Sequence, residues 1–296
     1  MSIAHFIRYL DCEKNYSPYT ITAYKNDVTS FLNFCKREFE IEKVGEISYS
    51  IIRSWIVELV EDGISNRSVN RKISSLKTYF NFLMKVKEID ADPLKKHRAL
   101  KVEKKVTIPF SKDEMDAVMN LDPDEEDFES IRDRLLLEML YSTGMRRSEL
   151  IHLKDASVDI SKGIVKVVGK RNKERHIPLL NSIRDGIGKY REVRKEIGPE
   201  DDTFFVTSRG KKMYPNLVYR IVKNYFGQVS VKMKKSPHMV RHSFATHLLN
   251  EGADLNAVKE LLGHASLAST QLYTHSSLNE LKLMYNSTHP RSTKKE

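Results

Sequence analysis

Apolar residues recur at helical spacing four times in the first 90 positions, which restricts this part of the chain to a packed helical bundle. Ile3, Phe6, Ile7 and Leu10 form the first stripe, and Ile21, Tyr24, Val28, Phe31 and Leu32 the second, after a Ser17-Pro18 start signal. Ile51, Ile52, Trp55, Ile56 and Leu59 make the third, and Val69, Ile73, Leu76, Phe80 and Leu83 the fourth. The pattern then stops. Residues 91–108, ADPLKKHRALKVEKKVTI, hold six Lys or Arg against two acids and little apolar periodicity, so they mark a boundary. The expected layout is an N-terminal domain at 1–95, a basic linker at 96–105 and a second domain at 106–296.

In the second domain Ser111 precedes a helix with Glu114 placed for a capping box, and a longer helix is expected from about Phe128 to Tyr141. It breaks at Thr143-Gly144 and is followed by MRRSELIHL. Here the period changes from helix to strand. GIVKVVG (163–169) and ERHIPL (174–179) read as strands joined by the turn KRNK, and ASVDI before them completes a three-stranded antiparallel sheet. From Asn216 the pattern is helical again. In SPHMVRHSFATHLL (236–249), Ser236 is the cap and Pro237 the first helical residue, and Val240, Phe244, His247 and Leu248 form the core-facing stripe. His238 and Arg241 lie on the other side, three residues apart. Two cationic donors so close repel each other unless an anion lies between them. The fold class is mainly α.

Composition narrows the function. Apolar residues make up 40% and charged residues 30%, and no apolar run approaches the roughly 20 residues that span a bilayer. The N-terminus reads as an amphipathic helix with acidic residues rather than a signal peptide, so a cytoplasmic protein without a membrane partner is expected. Cys12 and Cys35 make no metal-ligand pattern and are expected to stay reduced. The net charge of +10 and a pI near 9.3 favour a polyanionic partner. Arg67, Asn70, Arg71 and Ser74 share a polar helix face that is either solvated surface or a phosphate- and base-contacting face. Arg67 and Arg71 on that face, with Lys95, Lys96 and Lys104 in the basic stretch, are the candidate DNA-binding residues.

Four further residues join His238 and Arg241: Arg146 in TGMRRSEL, Lys170 in VVGKRNKER, His264 in LLGH and Tyr273 in STQLYTH. Each has an ordinary alternative. Arg146 pairs with Glu149 at i,i+3 in one reading, Lys170 is turn surface, His264 caps a helix end, and Tyr273 fills a core. As a set they describe one reaction. Two arginines clamp non-bridging phosphate oxygens and stabilise charge as phosphorus becomes five-coordinate. Histidines add donors or handle protons, and a lysine protonates the departing 5′ oxygen. A tyrosine oxygen, weak at its usual pKa of about 10, becomes a nucleophile where cations favour phenolate. No carboxylate–histidine set suited to two metals and no G-x-x-x-x-G-K-[ST] loop occurs in the sequence, so the expected reaction uses neither a metal nor another cofactor nor ATP.

TGMRRSEL, VVGKRNKERHIPL, PHMVRHSFATHLL, LLGH and LYTH resemble, in order, the motif series of the tyrosine recombinases, and most of all their Xer branch. NYSPYTITAYKNDVTSFLNFC and the late HPR resemble that branch too, so the likeness covers nearly the whole chain. It implies that Arg146, Lys170, His238, Arg241 and His264 are the activating set, Tyr273 the nucleophile, and Glu149 an orienting acid. Arg147 departs from the pattern, which has an apolar residue there. The implied architecture is a two-domain C-shaped clamp: a four-helix, SAM-like core-binding domain and a mostly helical catalytic domain. The implied activity is site-specific recombination through a 3′-phosphotyrosyl intermediate and a Holliday junction. Four protomers, of this chain alone or with a paralogous recombinase, would synapse two duplex sites. The Xer branch implies resolution of chromosome dimers before cell division, with a DNA translocase as regulator. An integrase of a mobile element is the alternative within the class, disfavoured by the lack of an arm-binding extension. A non-cutting DNA-binding regulator and a type IB topoisomerase are the alternatives outside it. In the last stretch, Leu281, Met284 and Tyr285 share a face that either folds back on its own domain or, as the resemblance implies, docks into a neighbouring protomer.

Overall fold

The computed structural model describes residues 3–103, 108–121, 127–169, 173–263 and 283–292. Backbone proximity divides the chain into two units, Met1–Val106 and Thr107–Glu296. The first unit holds α1 (Ile3–Arg8), which runs into a π-helical turn at Tyr9–Glu13, then α2 (Pro18–Phe39), α3 (Tyr49–Glu61) and α4 (Asn66–Lys85). The Ser17 hydroxyl accepts from the Thr20 amide at the start of α2, and Ser65 does the same for Ser68 on α4. The four stripes meet in one core, where Phe31 lies 5.1 Å from Trp55 and 6.2 Å from Phe80 between ring centroids. Beyond α4 the basic segment is bound to the bundle. Leu94 is buried, Asn70 exchanges two hydrogen bonds of 2.9 Å with the Leu100 backbone, and Asn66 donates to Lys101 O at 2.9 Å.

The second unit begins with α5 (Lys112–Met119), whose Ser111–Glu114 capping box is complete, followed by α6 (Phe128–Thr143) and α7 (Arg147–Ile151). Strands β1 (Val158–Asp159), β2 (Ile164–Val168) and β3 (Glu174–Pro178) form an antiparallel sheet in that order, with Val165 opposite Ile177 and Val167 opposite Arg175. Then come α8 (Arg184–Ile197), α9 (Pro215–Val229), α10 (Pro237–Asn250) and α11 (Leu255–Leu262). Helix α6 is central: it packs on α8 and α10 and buries Leu135, Leu136, Leu137, Met139, Leu140 and Tyr141 around its circumference. The sequence pattern predicts no element at 184–197. The buried side of α8 is only Ile187, Tyr190 and Arg194, and Gly186 and Gly188 interrupt it, so the stripe is too sparse to read.

Gly144 closes α6 at φ +58, and a Cβ there would lie 2.3 Å from the Phe244 ring, so α6 turns where α10 comes closest. The described tail packs in the same place. Residues 283–288 are helical, Tyr285 is fully buried with its hydroxyl donating to Ser142 O, and His289 lies 5.4 Å from Tyr141 and 5.8 Å from Phe244 between ring centroids. Met284 and Tyr285 therefore pack on the chain's own second unit; Leu281, the first residue of that stripe, lies outside the described residues.

Replacing Tyr285 with Ala should destabilise the second unit by about 3–5 kcal/mol, the cost of emptying a buried aromatic site. Urea unfolding measures it, and an unchanged midpoint would contradict packing of the tail on its own unit. Burial pushes the His289 pKa down from 6.5 to about 4. Between those values the unfolded chain takes up a proton that the folded chain refuses, so stability falls as pH is lowered through this window. The loss from this group is about 3 kcal/mol at its limit. His289→Gln should flatten the pH dependence of the urea midpoint between pH 7 and 4.5, and an equally steep profile would assign the slope to other groups.

Candidate active site

The site is built around a carboxylate with two arginines on it. Glu149 lies in the first turn of α7 and is 6% exposed. Its Oε2 accepts from the Arg146 amide at 2.7 Å, as an N-terminal helix residue reaching back to its cap, and its Oε1 accepts from Arg146 Nη1 at 2.8 Å. Arg175, on β3, forks onto the same two oxygens, Nη1 to Oε1 and Nη2 to Oε2, both at 2.9 Å. Burial acts to raise the Glu149 pKa, but the hydrogen bonds and charge of Arg175, then of Arg146, outweigh it and hold the carboxyl below its ordinary value.

A second acceptor group comes from the end of α11. Asp254 caps its start, and Gly263, at φ +62, ends it, so the last carbonyls have no partner within the helix. Three arginines take them in turn. Arg175 Nε donates to Leu261 O at 2.9 Å, Arg241 Nη2 to Leu262 O at 2.6 Å, and Arg146 Nη2 to Gly263 O at 3.3 Å. Arg241 also donates through Nη1 to Gly144 O at 2.6 Å, the carbonyl at the end of α6. Residues from α7, β3 and α10 thus converge on one helix end. Burial pushes the Arg241 pKa down to about 10, and the positive charges of Arg146 and Arg175 add to that, yet the group stays charged at neutral pH. Three guanidiniums lie together here, two of them paired with the one carboxylate, so their charge exceeds its own and suits an anion.

The predicted residues fall into three groups. Arg146, Glu149 and Arg241 are brought together. His238 lies in the first turn of α10, one turn before Arg241, and its side chain is exposed. Lys170, His264 and Tyr273 lie outside the described residues, although their neighbours Gly169 and Gly263 are described. A Cβ on Gly169 would be 3.6 Å from Glu149 Oε1, and one on Gly263 would be 3.1 Å from Arg175 Nη1. Arg241 is buried at 6% exposure, whereas His238 and His242 on the same half of α10 are exposed. Arg147 is exposed and donates to Pro215 O at 3.3 Å, at the start of α9, so its departure from the motif leaves the packing of α7 undisturbed.

In the first unit Arg67, Lys95 and Lys96 are exposed, and Lys104 lies outside the described residues. Arg71 forks onto Asp27 at 2.6 and 2.9 Å while its side chain stays half exposed. Asp27 is buried and also accepts from Ser75 at 2.8 Å and Lys72 at 3.2 Å. Asn70, on the same polar face, is occupied by the Leu100 backbone. Sequence reasoning missed Arg175 and Asp27, and each had a signal. Arg175 alternates with Ile177 on the inward side of β3, and Asp27 interrupts the apolar stripe between Tyr24 and Phe31. A charge at a core-facing register position requires a buried partner.

The chain resembles known proteins over most of its length. Residues 109–280 match the Phage integrase family, and residues 3–87 match the phage integrase N-terminal SAM-like domain. A protein named tyrosine recombinase XerC from Chlorobaculum parvum is 38% identical, covering 96% of this chain and 93% of its own. One named tyrosine recombinase XerD from Staphylococcus aureus is 36% identical, covering 98% and 99%. Among solved structures, the XerH site-specific recombinase bound to palindromic difH substrate in a post-cleavage complex has a similar fold, with TM-score 0.72 and 22% identity over 91% of this chain and 80% of that one. With a matching catalytic region, a matching N-terminal domain and full-length relatives, the chain belongs to the phage integrase family of tyrosine recombinases.

Proposed function

We propose that this chain cleaves and rejoins duplex DNA at a specific site with Tyr273 as nucleophile, and that it resolves chromosome dimers. The Tyr273 oxygen attacks the scissile phosphorus and forms a 3′-phosphotyrosyl bond. The 5′ oxygen leaves with a proton from Lys170. Exchange of one phosphate ester for another keeps the bond energy, and the free 5′ hydroxyl of a partner strand reverses the step through a Holliday junction. Arg146 and Arg241 bind the non-bridging oxygens, His238 and His264 complete the donor set, and Glu149 orients Arg146. Arg67, Arg71, Lys95, Lys96 and Lys104 serve the duplex backbone from the N-terminal side. The working assembly is a tetramer on two sites, of this chain alone or with a paralogue, in the cytoplasm on the nucleoid and under a DNA translocase. Relatives named XerC and XerD over nearly their whole length support dimer resolution over mobile-element integration.

The observation that carries the reading is the meeting of Arg146 and Arg241. They are far apart in sequence, yet they donate to the adjacent carbonyls Gly263 O and Leu262 O. A protein that only binds DNA does not require two arginines converging in this way on one helix end, one of them buried.

Footprinting the protein across its own genome recovers the site. Occupancy at one chromosomal locus supports dimer resolution, and occupancy at the ends of a mobile element overturns it. On a nicked suicide duplex carrying that site, the wild-type chain should give a covalent adduct on a denaturing gel. Tyr273→Phe should give none while binding as wild type, and persistent adduct would sink the nucleophile assignment. Arg241→Lys should bind but cleave slowly, with a barrier raised by about 2–4 kcal/mol, because lysine keeps the charge without the planar fork. Cleavage at the wild-type rate would make Arg241 a purely structural residue.

A further inference from the structure

Arg175 is 5% exposed, too deep to meet a DNA backbone, and three of its N–H groups are committed to Glu149 and Leu261 O. Among the described residues it is nevertheless the one side chain joined to both acceptor groups of the site through a fork and a third bond. On one side it holds both oxygens of Glu149. On the other it holds the α11 end, where a Cβ on Gly263 would lie 3.2 Å from its Cδ and Cζ, so the Gly263 backbone rests on the guanidinium. Arg146 reaches both groups and Arg241 only the α11 end, each with part of its capacity. Arg146 gives one guanidinium bond to Glu149 and one to Gly263 O, and Arg241 gives one each to Gly144 O and Leu262 O. Among the described residues, partners take two of the five N–H donors on each guanidinium.

We propose that Arg175 is a positioning residue for DNA cleavage: it fixes the Glu149 carboxylate and the α11 end so that Arg146 and Arg241 keep their remaining donors turned to phosphate. This rests on reading those two arginines as phosphate ligands. Without the Arg175 fork, Glu149 is a buried carboxylate with Arg146 as its only guanidinium partner among the described residues, and the favourable response is a bidentate pair that draws Arg146 off the phosphate. At the same time Leu261 O loses its donor, and the adjacent carbonyls that aim Arg241 and Arg146 are no longer held from the β3 side. Lysine at this position keeps the buried charge, but its three donors sit on one nitrogen and cannot span Glu149 and Leu261 O as the planar fork does, so the fold survives while the aim is lost.

The test uses the full chain, the site recovered by footprinting, and single-turnover adduct formation at saturating DNA, with site affinity and urea midpoint measured alongside. Arg175→Lys should slow the adduct by about 100-fold, the scale of a misplacement of about 1 Å at a reacting centre, with affinity unchanged. A duplex with an uncharged methylphosphonate at the scissile position removes the negative oxygen that Arg146 and Arg241 neutralise, so the defect of Arg175→Lys should shrink on it. Cleavage at the wild-type rate overturns the proposal. So does an equal defect on both duplexes, or a loss of affinity as large as the loss of rate, since each marks a general effect on folding. Arg175→Met with Glu149→Gln removes both buried charges together. If Arg175→Lys fails to fold, this double variant must fold and yet cleave slowly, and wild-type cleavage by it overturns the proposal. A wild-type chain that forms no adduct overturns the reading of Arg146 and Arg241 and the proposal with it, whereas wild-type cleavage beside an unaffected Arg175→Lys overturns the proposal alone.

Discussion

The pairing of Glu149 with Arg146 and Arg175 is the contact on which the rest of the site depends. A carboxylate this deep carries a large desolvation cost, offset only when its lone pairs are filled with well-placed donors. Here they are filled by two guanidiniums and a backbone amide. The cost of burial is also what gives the contact its rigidity. Any rotation of the carboxylate breaks several charge-assisted bonds at once, so α7 and β3 behave locally as one body.

Helix α11 supplies a different kind of acceptor. Its last carbonyls carry the partial negative charge of the helix end, which offsets part of the cationic excess without adding a second carboxylate that would compete with phosphate for the arginines. Backbone oxygens are weaker acceptors than carboxylates and fixed in place, so they hold a guanidinium's orientation without neutralising it. Arg146, Arg175 and Arg241 are therefore held in place and still positively charged, the condition that the proposed stabilisation of charge on phosphorus requires.

Much of this was legible in the residues. Ser17, Ser111 and Ser236 announce helix starts by a mechanism that acts locally, and each caps its helix as expected. The switch to period two at 163–179 places the hairpin, since alternation needs only neighbours on one strand. The ordered motifs named Arg146, Glu149 and Arg241, which meet in space. What could not be read was long-range. Helix α8 is held by Tyr190, whose hydroxyl bonds Phe204 O at 3.1 Å and the Val206 amide at 3.0 Å, and nothing in RDGIGKYREVRKEI reveals those partners. Asn70 looked free to meet DNA because its partner, Leu100, is thirty residues away in an aperiodic stretch. Arg175 was visible as a charge on an inward register position, but its three acceptors come from two other elements.

The shared carboxylate also constrains how sequences of this kind can change. Removing Arg175 alone strands part of a buried anion, and removing Glu149 alone leaves the buried Arg175 without its carboxylate beside Arg146, so each single step is costly. Exchanging both for apolar groups of similar volume removes the mismatch, and on stability alone the double change can be nearly neutral. The two intermediates form a valley between two viable sequences. Drift in this region must therefore cross it in paired steps, and substitutions at positions 149 and 175 are expected to travel together.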